Sequence, residues 1–246
     1  METAWRVLDT GAGGAAWNMA VDEALLLMAE KGQCMPTLRF FAWERPSLSI
    51  GSFQKVDELD LGRVASEGVP LVRRPTGGRA VLHGAELTYS VTCPIPSAYF
   101  PSDLMGSYKR IGACFLQGLN GLGVEAALVP VSKNPDRKPG QSYTHNPLCF
   151  SSPSWHEVLL DGRKLVGSAQ RRLKGAFLQQ GSLLMELDIE GLVSLMKSAD
   201  DGSRRAAAER LASKMTALGE VRPGISIEAL KAAIVGGFEA EMGVRF

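Results

Sequence analysis

Residues 73–83 read Arg73-Arg74-Pro75-Thr76-Gly77-Gly78-Arg79-Ala80-Val81-Leu82-His83. Two arginines close a predicted strand, a pair of glycines follows, and an apolar run ends in a histidine. Paired glycines let backbone N–H groups approach a ligand closely and adopt positive φ, and flanking arginines suit an anion such as a carboxylate or phosphate. A glycine hairpin turn with surface arginines has the same pattern, and spacing alone leaves both interpretations open.

On both sides of this stretch, short apolar and alternating patterns predict strands. They fall at 5–8, 38–43, 48–51, 69–73, 87–91, 124–129, 155–160, 164–171 and 176–187. A turn at 44–46 joins the second and third of these strands, and Asp161-Gly162 is a dipeptide typical of β-hairpins. Because the strands and helices do not alternate strictly, the predicted fold is a mixed α/β fold, with a mixed sheet flanked by helices.

Helical spacing predicts a first helix directly after the glycine-rich residues 11–14. Its expected apolar face holds Trp17, Ala20, Val21, Ala24, Leu25 and Met28. Ser102 is expected to cap a long helix that presents Leu104, Tyr108, Ile111, Phe115 and Leu119. Further helices are predicted over 59–67, 189–198, 204–218 and 226–242. No break in composition marks a second domain, so the prediction is one domain over 1–246 with a short helical tail from about 189 to 246.

Composition narrows the class of protein. The 246 residues carry 27 Lys and Arg against 26 Asp and Glu, and this near-neutral balance argues against a protein built chiefly for nucleic acid. Hydrophobic residues make up 45%, which is ordinary for a globular chain and excludes general disorder. The strongly apolar stretch at 24–29 is too short to cross a bilayer, and the N-terminus resembles no secretion signal. A cytoplasmic protein without membrane association is therefore expected.

A second motif follows the Asp161-Gly162 turn. Lys164 stands near the start of a predicted strand, and Gly167, Ser168 and Ala169 lie in its middle. Small residues at such positions allow another backbone or a ligand to approach closely. The plainer interpretation is an exposed strand lysine, because lysines are mostly solvated.

Cys149 is the candidate nucleophile. It follows residues 130–147, a polar stretch of a length that is usually functional or mobile, whereas Cys114 falls inside an amphipathic helix. Free cysteines are usually inert packing residues, but a nearby cation would favour the reactive thiolate. The four cysteines form no CxxC pair, and the three histidines show no metal-ligand spacing, so no metal site is predicted.

These motifs together resemble the biotin/lipoate protein ligase superfamily, which comprises lipoate–protein ligases, octanoyltransferases and biotin ligases. Residues 73–83 match its RRxTGGxAVxH lipoyl-binding loop, and 162–170 match its G-[RK]-K-[IL]-x-G-x-A-Q strand. Residues 43–54 fit W-x-x-P-x-x-S-x-G-x-x-Q, and 17–22 fit the usual first helix. The ordered resemblance covers residues 5 to about 190 and implies the catalytic-domain fold of that superfamily.

Cys149 indicates the subfamily. The phrase from Cys149 to Glu157 resembles the lipoate-ligase-type octanoyltransferases, in which a cysteine just after the mobile loop carries the acyl group. That cysteine precedes the functional lysine, here Lys164, as the subfamily requires. Octanoyltransferases of the other type place their cysteine after the lysine strand, and no cysteine follows Cys149 here. The C-terminal accessory domain of two-domain lipoate ligases is not expected, because the remaining tail holds only a few predicted helices.

The resemblance implies octanoyl transfer from acyl carrier protein to a lysine of a lipoyl domain, through a thioester on Cys149, with Lys164 as the second catalytic residue. Acceptors in the family are the glycine-cleavage H protein and 2-oxoacid dehydrogenase subunits. Carried over as substrate-binding residues are Arg73, Arg74, Thr76, Gly77, Gly78, Ala80, His83, Gly167, Ser168 and Ala169. His83 could equally be a structural histidine. No cofactor or metal is expected, and family members are often monomers.

Two other functions remain open at the level of the sequence. The first is an ATP-dependent lipoate–protein ligase, either alone or as a catalytic half that needs a separate accessory protein. It would use Arg73, Gly77, Gly78 and Lys164 to hold a lipoyl-adenylate phosphate. It would need Mg²⁺, and Cys149 would be incidental. A lipoate-binding module that transfers nothing would keep the pocket, but the joint presence of Cys149 and Lys164 disfavours it. Dependence on ATP distinguishes the transferase from the ligase.

Overall fold

The computed structural model describes residues 4–129 and 157–246. The strands among these residues are β1 (Arg6–Gly13), β2 (Thr37–Trp43), β3 (Ser47–Ile50), β4 (Leu71–Arg73), β5 (Val81–His83), β6 (Glu86–Pro94), β7 (Ala126–Leu128), β8 (Val158–Leu160), β9 (Arg163–Arg172) and β10 (Ala176–Leu184). The α-helices there are α1 (Ala15–Glu30), α2 (Leu61–Ser66), α3 (Leu104–Gly121), α4 (Ile189–Ser194), α5 (Asp201–Ala212), α6 (Leu218–Val221) and α7 (Ile227–Met242).

The described strands form two sheets. The larger has the order β1-β2-β6-β10-β9-β8-β7, in which β1 and β2 run parallel and every other neighbouring pair is antiparallel. The smaller has the order β4-β3-β5. The predicted mixed α/β fold is therefore confirmed. The predicted strands at 38–43 and 48–51 form as β2 and β3, but they lie in different sheets, so the turn between them connects sheets.

One face of the large sheet is covered by α3 and α7. Phe115 of α3 and Phe238 of α7 are fully buried in the same cluster as Tyr89 of β6. Gly118 and Gly237 lie at the contact between the helices, where an added Cβ would collide with backbone atoms of the opposite helix. Close helix packing at these glycines gives the large sheet a dense apolar layer on this side.

The C-terminal residues belong to the same body. Leu192 of α4, Leu211 of α5 and Met215 pack in one cluster with Leu48 and Ile50 of β3. The chain around Met215 also forms a parallel bridge with Lys164 of β9. Residues 189–217 thus cover the small sheet and add backbone hydrogen bonds beside Lys164. That residues 1–246 form a single domain stays a prediction.

The predicted apolar face of α1 is wrong. Trp17 is 63% exposed and Met28 is 44% exposed, although Leu25 is buried as expected. The buried face of α1 also holds two polar residues, Asn18 and Asp22. A helix with polar groups on its buried side misleads a hydrophobic pattern, which placed the face about a residue away from its true position.

The predicted start of α3 needs a smaller correction. Asp103, not Ser102, is the N-cap, and its carboxylate accepts a 2.7 Å hydrogen bond from the backbone N–H of Gly106. Leu104, assigned to the apolar face, is 43% exposed. Ile111 and Phe115 are buried as predicted.

Candidate functional site

A pocket lies under the face of the large sheet opposite α3, between that sheet, α1 and the small sheet. About 450 Å³ of space there is free of protein atoms, including the part open to solvent. Its lining residues are Met19, Phe41, Trp43, Ser49, Arg74, Val81, His83, Thr88, Gly167, Ser168, Ala169, Gln180, Gly181 and Ser182. Both motifs singled out in the sequence therefore reach one cavity.

The loop that follows β4 borders the pocket, and the Arg74 side chain fixes the conformation of this loop. The Arg74 guanidinium donates to the backbone carbonyls of Gly77 (2.8 Å) and Arg79 (2.7 Å), and to the hydroxyl of Ser49 (3.0 Å). Gly78 has φ of 91°, a conformation that favours glycine. These hydrogen bonds to two backbone carbonyls and one hydroxyl hold the loop in its shape.

Arg73 fixes the neighbouring segment. Its guanidinium donates to the carbonyl oxygens of Gly51 and Gln54, at 2.7 Å each. Gly51 itself packs against Gly78, and a Cβ on Gly51 would overlap the Gly78 carbonyl. The two arginines therefore tie the 74–79 loop to the 51–54 segment, and an anion-binding role for them stays a prediction of the family resemblance.

A buried polar network connects this loop to α1. Thr76 donates to Oε1 of Gln180 (2.7 Å), and Nε2 of Gln180 donates to Asp22 (2.6 Å). Asp22 forms a fully buried ion pair with Arg39 at 2.7 Å and also accepts from Ser90. Breaking such a pair is costly because it leaves an uncompensated buried charge. The network fixes Gln180, which lines the pocket, in one orientation.

His83 belongs to a second network on the same side of the pocket. Its Nε2 lies 2.7 Å from Oγ of Ser49, and its ring stacks on Trp43 at 4.0 Å between centroids. Its Nδ1 lies 2.6 Å from Oε1 of Glu86. The buried ring is thus held on both nitrogens and one face, and it presents its remaining surface to the pocket.

Glu86, the first residue of β6, accepts several hydrogen bonds of that network. Its Oε1 accepts hydrogen bonds from Thr88 and Ser182, at 2.7 Å each, in addition to the contact with His83. The indole of Trp43 donates to Thr88 at 2.9 Å, so the Thr88 hydroxyl proton is directed to Glu86. Burial opposes ionisation, but the charge of His83 and these donors together hold the pKa of Glu86 below its usual 4.5.

We expect Glu86→Gln to lower the free energy of unfolding at pH 7 by about 1.5–3 kcal/mol, because a buried carboxylate with three hydrogen-bonding partners loses its charge. Because the folded-state pKa of Glu86 is lowered, its carboxylate stabilises the fold above about pH 4.5 and loses that effect as the pH falls further. Urea unfolding at pH 7 and pH 4 measures both effects. The difference between wild type and variant should shrink at pH 4, and an equal difference at both pH values would contradict this role.

Lys164 is buried, contrary to the exposed-lysine interpretation. The residue is 4% exposed, and its Nζ lies 2.5 Å from Oε1 of Glu157, which is also buried. Its backbone N–H donates to Lys214 and its carbonyl accepts from Thr216, at 2.7 and 3.0 Å. The first residues of β9 are therefore fixed from the C-terminal side, and the amine lies in an environment that enhances electrostatic interactions.

The rest of the β9 motif shows which atoms face the pocket. The hydroxyl of Ser168 lies 2.7 Å from the hydroxyl of Tyr89, whose ring packs on Phe115 of α3. Since successive strand residues point to opposite faces, Gly167 and Ala169 face the pocket and the Ser168 side chain faces α3. Burial raises the pKa of Tyr89 to about 12, so its phenol stays neutral.

Apart from Lys164, which pairs with Glu157, the predicted site residues divide into three groups. Arg74, His83, Gly167, Ser168 and Ala169 line the pocket. Buried within or beside the 74–79 loop are Thr76 and Ala80, while Arg73, Gly77 and Gly78 complete its surface. Cys149 lies outside the described residues.

Sequence reasoning missed several residues of the site. They are Met19, Phe41, Trp43, Gln180, Glu86 and Glu157. A charged or amide residue in an otherwise apolar strand pattern, as at Gln180 and Glu86, was the available signal, because such groups are buried only when they are hydrogen-bonded.

Among the described residues, no group of three or more His, Cys, Asp or Glu could hold a metal ion. None of the helices in the described part of the chain combines the length and apolar character needed to span a bilayer.

Comparison with known proteins matches residues 14–239 to the model of the lipoyl protein ligase A/B catalytic domain. The chain is 41% identical over 242 residues to octanoyltransferase LipM of Geobacillus kaustophilus, covering 98% of this chain and 87% of that protein. It is 37% identical over 249 residues to octanoyltransferase LipM of Staphylococcus epidermidis, covering 100% and 90%.

Solved structures agree with this match. A bipartite lipoate protein ligase of Thermoplasma acidophilum, described together with its E2 lipoyl domain as an archaeal lipoylation system, superposes with a TM-score of 0.78 at 25% identity, covering 100% of this chain and 86% of that chain. A lipoate-protein ligase A bound with ATP gives a TM-score of 0.74 at 25% identity, with 100% and 87% coverage.

Proposed function

Because the chain belongs to the lipoyl protein ligase A/B catalytic-domain family, we propose that it moves an octanoyl group from acyl carrier protein to a lipoyl-domain lysine through a thioester on Cys149. Its full-length similarity to octanoyltransferases makes it an acyltransferase of the octanoyltransferase type. The buried amine of Lys164, at the start of β9, the strand whose Gly167 and Ala169 line the pocket, is the observation that carries the proposal.

The nucleophile has to be activated. An ordinary cysteine thiol has a pKa of about 8.5 and is mostly protonated at neutral pH. A protonated amine within about 4–6 Å favours the thiolate and lowers the thiol pKa. In this proposal Lys164 supplies that charge, and Glu157 keeps the amine in place through the 2.5 Å contact.

The transfer proceeds in two steps. The Cys149 thiolate attacks the carbonyl of the carrier thioester, and the C–S bond to Cys149 forms as the C–S bond to the carrier breaks. The carrier leaves as a thiolate, which takes up a proton from solvent. The acceptor lysine amine then attacks the Cys149 thioester, and the amide C–N bond forms as the C–S bond to Cys149 breaks. Lys164 assists removal of the amine proton, and Cys149 leaves as the thiolate from which the cycle began. A covalent intermediate of this kind divides one difficult transfer into two easier ones. Backbone N–H groups near Gly77-Gly78 or Gly167-Ser168 would stabilise the oxyanion.

The pocket supplies the binding energy for the acyl chain. Seven methylene and methyl groups at about 0.8 kcal/mol each contribute roughly 5–6 kcal/mol when buried, enough to favour a medium chain over a short one. Met19, Phe41, Trp43 and Val81 provide the apolar surface for that burial.

The acceptor in this proposal is a lipoyl domain, either the glycine-cleavage H protein or a 2-oxoacid dehydrogenase subunit. The similarity to a ligase studied with its E2 lipoyl domain supports that class of partner. The reaction needs no ATP, Mg²⁺ or other cofactor, because the carrier thioester already activates the acyl group.

An ATP-dependent lipoate–protein ligase is the second candidate, favoured by the similarity to a ligase bound with ATP. Against it, the relatives that match 98% and 100% of this chain at 41% and 37% identity are octanoyltransferases. A single assay distinguishes the two functions by offering octanoyl–carrier protein without ATP, and octanoate with ATP and Mg²⁺. Octanoylation of a lipoyl domain from the first donor alone is expected, and octanoylation from the second alone would overturn the proposal.

A further inference from the structure

The floor of the pocket is a single row of residues across four neighbouring strands. Gly167 of β9 pairs with Ser182 of β10, Ser182 pairs with Thr88 of β6, and Thr88 pairs with Phe41 of β2. Directly paired residues in a sheet share a face, and all four line the pocket. At one end of the row Gly167 has no side chain and leaves space above the sheet, and at the other end stands the large ring of Phe41.

The length of this row matches a medium acyl chain. Three strand spacings of about 4.8 Å separate β9 from β2, roughly 14 Å in all. Subtracting a carbon–carbon contact distance of about 4 Å at Phe41 leaves roughly 10 Å. An extended octanoyl chain, with seven C–C bonds of about 1.5 Å in a zigzag, spans roughly 9 Å. A chain whose carbonyl lies by β9, the strand of Lys164, therefore ends against Phe41.

Phe41 is held firmly enough to act as a wall. It is 2% exposed, and the guanidinium of Arg39 lies 4.0 Å from its ring centroid. The indole of Trp43 packs beside the Phe41 ring, with the two ring centroids 5.9 Å apart. Arg39 is itself fixed by its buried ion pair with Asp22. Displacing the ring would disturb this network, so a longer chain gains no room by moving it.

We propose that Phe41 is the residue that sets the acyl-chain length, because it closes the far end of the row that begins at Gly167. This inference rests on the proposed function, since it takes the acyl group to lie along that row. A smaller side chain at position 41 lengthens the pocket by about two methylene groups, and a larger one shortens it.

Phe41→Leu and Phe40→Leu form a matched pair for the test. Phe40 is the neighbouring residue, is equally buried at 1% exposure, and packs in the cluster on the α3 side of the sheet. Each purified protein is mixed with octanoyl-, decanoyl- or dodecanoyl-carrier protein, and the rate of acylation is followed by intact mass. The ratio of decanoyl to octanoyl rates should rise about tenfold or more in Phe41→Leu, since two methylenes at ~0.8 kcal/mol each correspond to roughly fifteenfold. It should not change in Phe40→Leu.

Phe41→Trp provides the opposite change, and it keeps the test informative if the leucine variant does not fold. It should favour a hexanoyl over an octanoyl donor. Chain-length ratios that stay at the wild-type value in both Phe41 variants overturn the inference alone. A wild-type protein that accepts no acyl group from any carrier overturns the proposed function and this inference with it.

Discussion

Replacing Cys149 with alanine is expected to reduce octanoyl transfer by on the order of 10³-fold or more, to the background rate, while leaving the fold intact. Without the thiolate, no thioester forms, and the acceptor amine must attack the carrier thioester directly. Transfer to a purified lipoyl domain measures the first effect, and thermal unfolding measures the second. A variant that retains a tenth or more of wild-type activity would contradict the covalent route.

Cys34→Ala is the matched control for that experiment. Cys34 is buried and accepts a hydrogen bond from Arg6, away from the pocket-lining residues. Burial raises the pKa of Cys93 to about 11 and raises the pKa of Cys114 further, so neither thiol competes as a nucleophile at neutral pH. Cys34→Ala should therefore transfer octanoyl groups at close to the wild-type rate.

Replacing Lys164 with glutamine should lower the transfer rate by about 10²-fold or more, the usual contribution of a positioned acid–base group. It should also raise the pKa of the Cys149 thiol, because the neighbouring positive charge is lost. Glutamine retains a donor for the buried carboxylate of Glu157, which limits the cost to the fold. Iodoacetamide alkylation of Cys149 across pH 6 to 10, each value about a unit apart, tests the electrostatic role.

Lys174→Gln is the control for this variant, because Lys174 is an exposed lysine in the turn after β9. Its alkylation profile should superpose on that of wild type. If Lys164→Gln also shows the wild-type alkylation profile and the wild-type transfer rate, the buried amine has no part in the chemistry. A lowered transfer rate with an unchanged profile would restrict Lys164 to the second step.

The fold class could be predicted from the sequence because local patterns carry it. Asp161-Gly162 forms the predicted turn, with φ of 51° and 74°, and β9 and β10 form where the alternation and apolar runs place them. The burial of Lys164 was not visible locally, because it depends on Glu157 and on the bridge to Met215. Met215 lies far from Lys164 in the chain, so the residues next to Lys164 in the sequence do not reveal that its side chain is buried.

The buried networks explain the remaining errors. Thr76 and Gln180 are 104 positions apart, and their hydrogen bond can be recognised only once β10 lies beneath the 74–79 loop. Asp22 makes the inner face of α1 polar, which is why the apolar face was misplaced. Polar groups can be buried there because other segments satisfy them, and such long-range compensation leaves no periodic signal in the chain.

The most direct test of the whole account is the mass of the protein after mixing with octanoyl–carrier protein in the absence of ATP. We expect the mass to increase by one octanoyl group, the added group to map to Cys149 after proteolysis, and a lipoyl domain to remove it. An unmodified protein, or a modification on another residue that the lipoyl domain cannot remove, would contradict acyl transfer through Cys149.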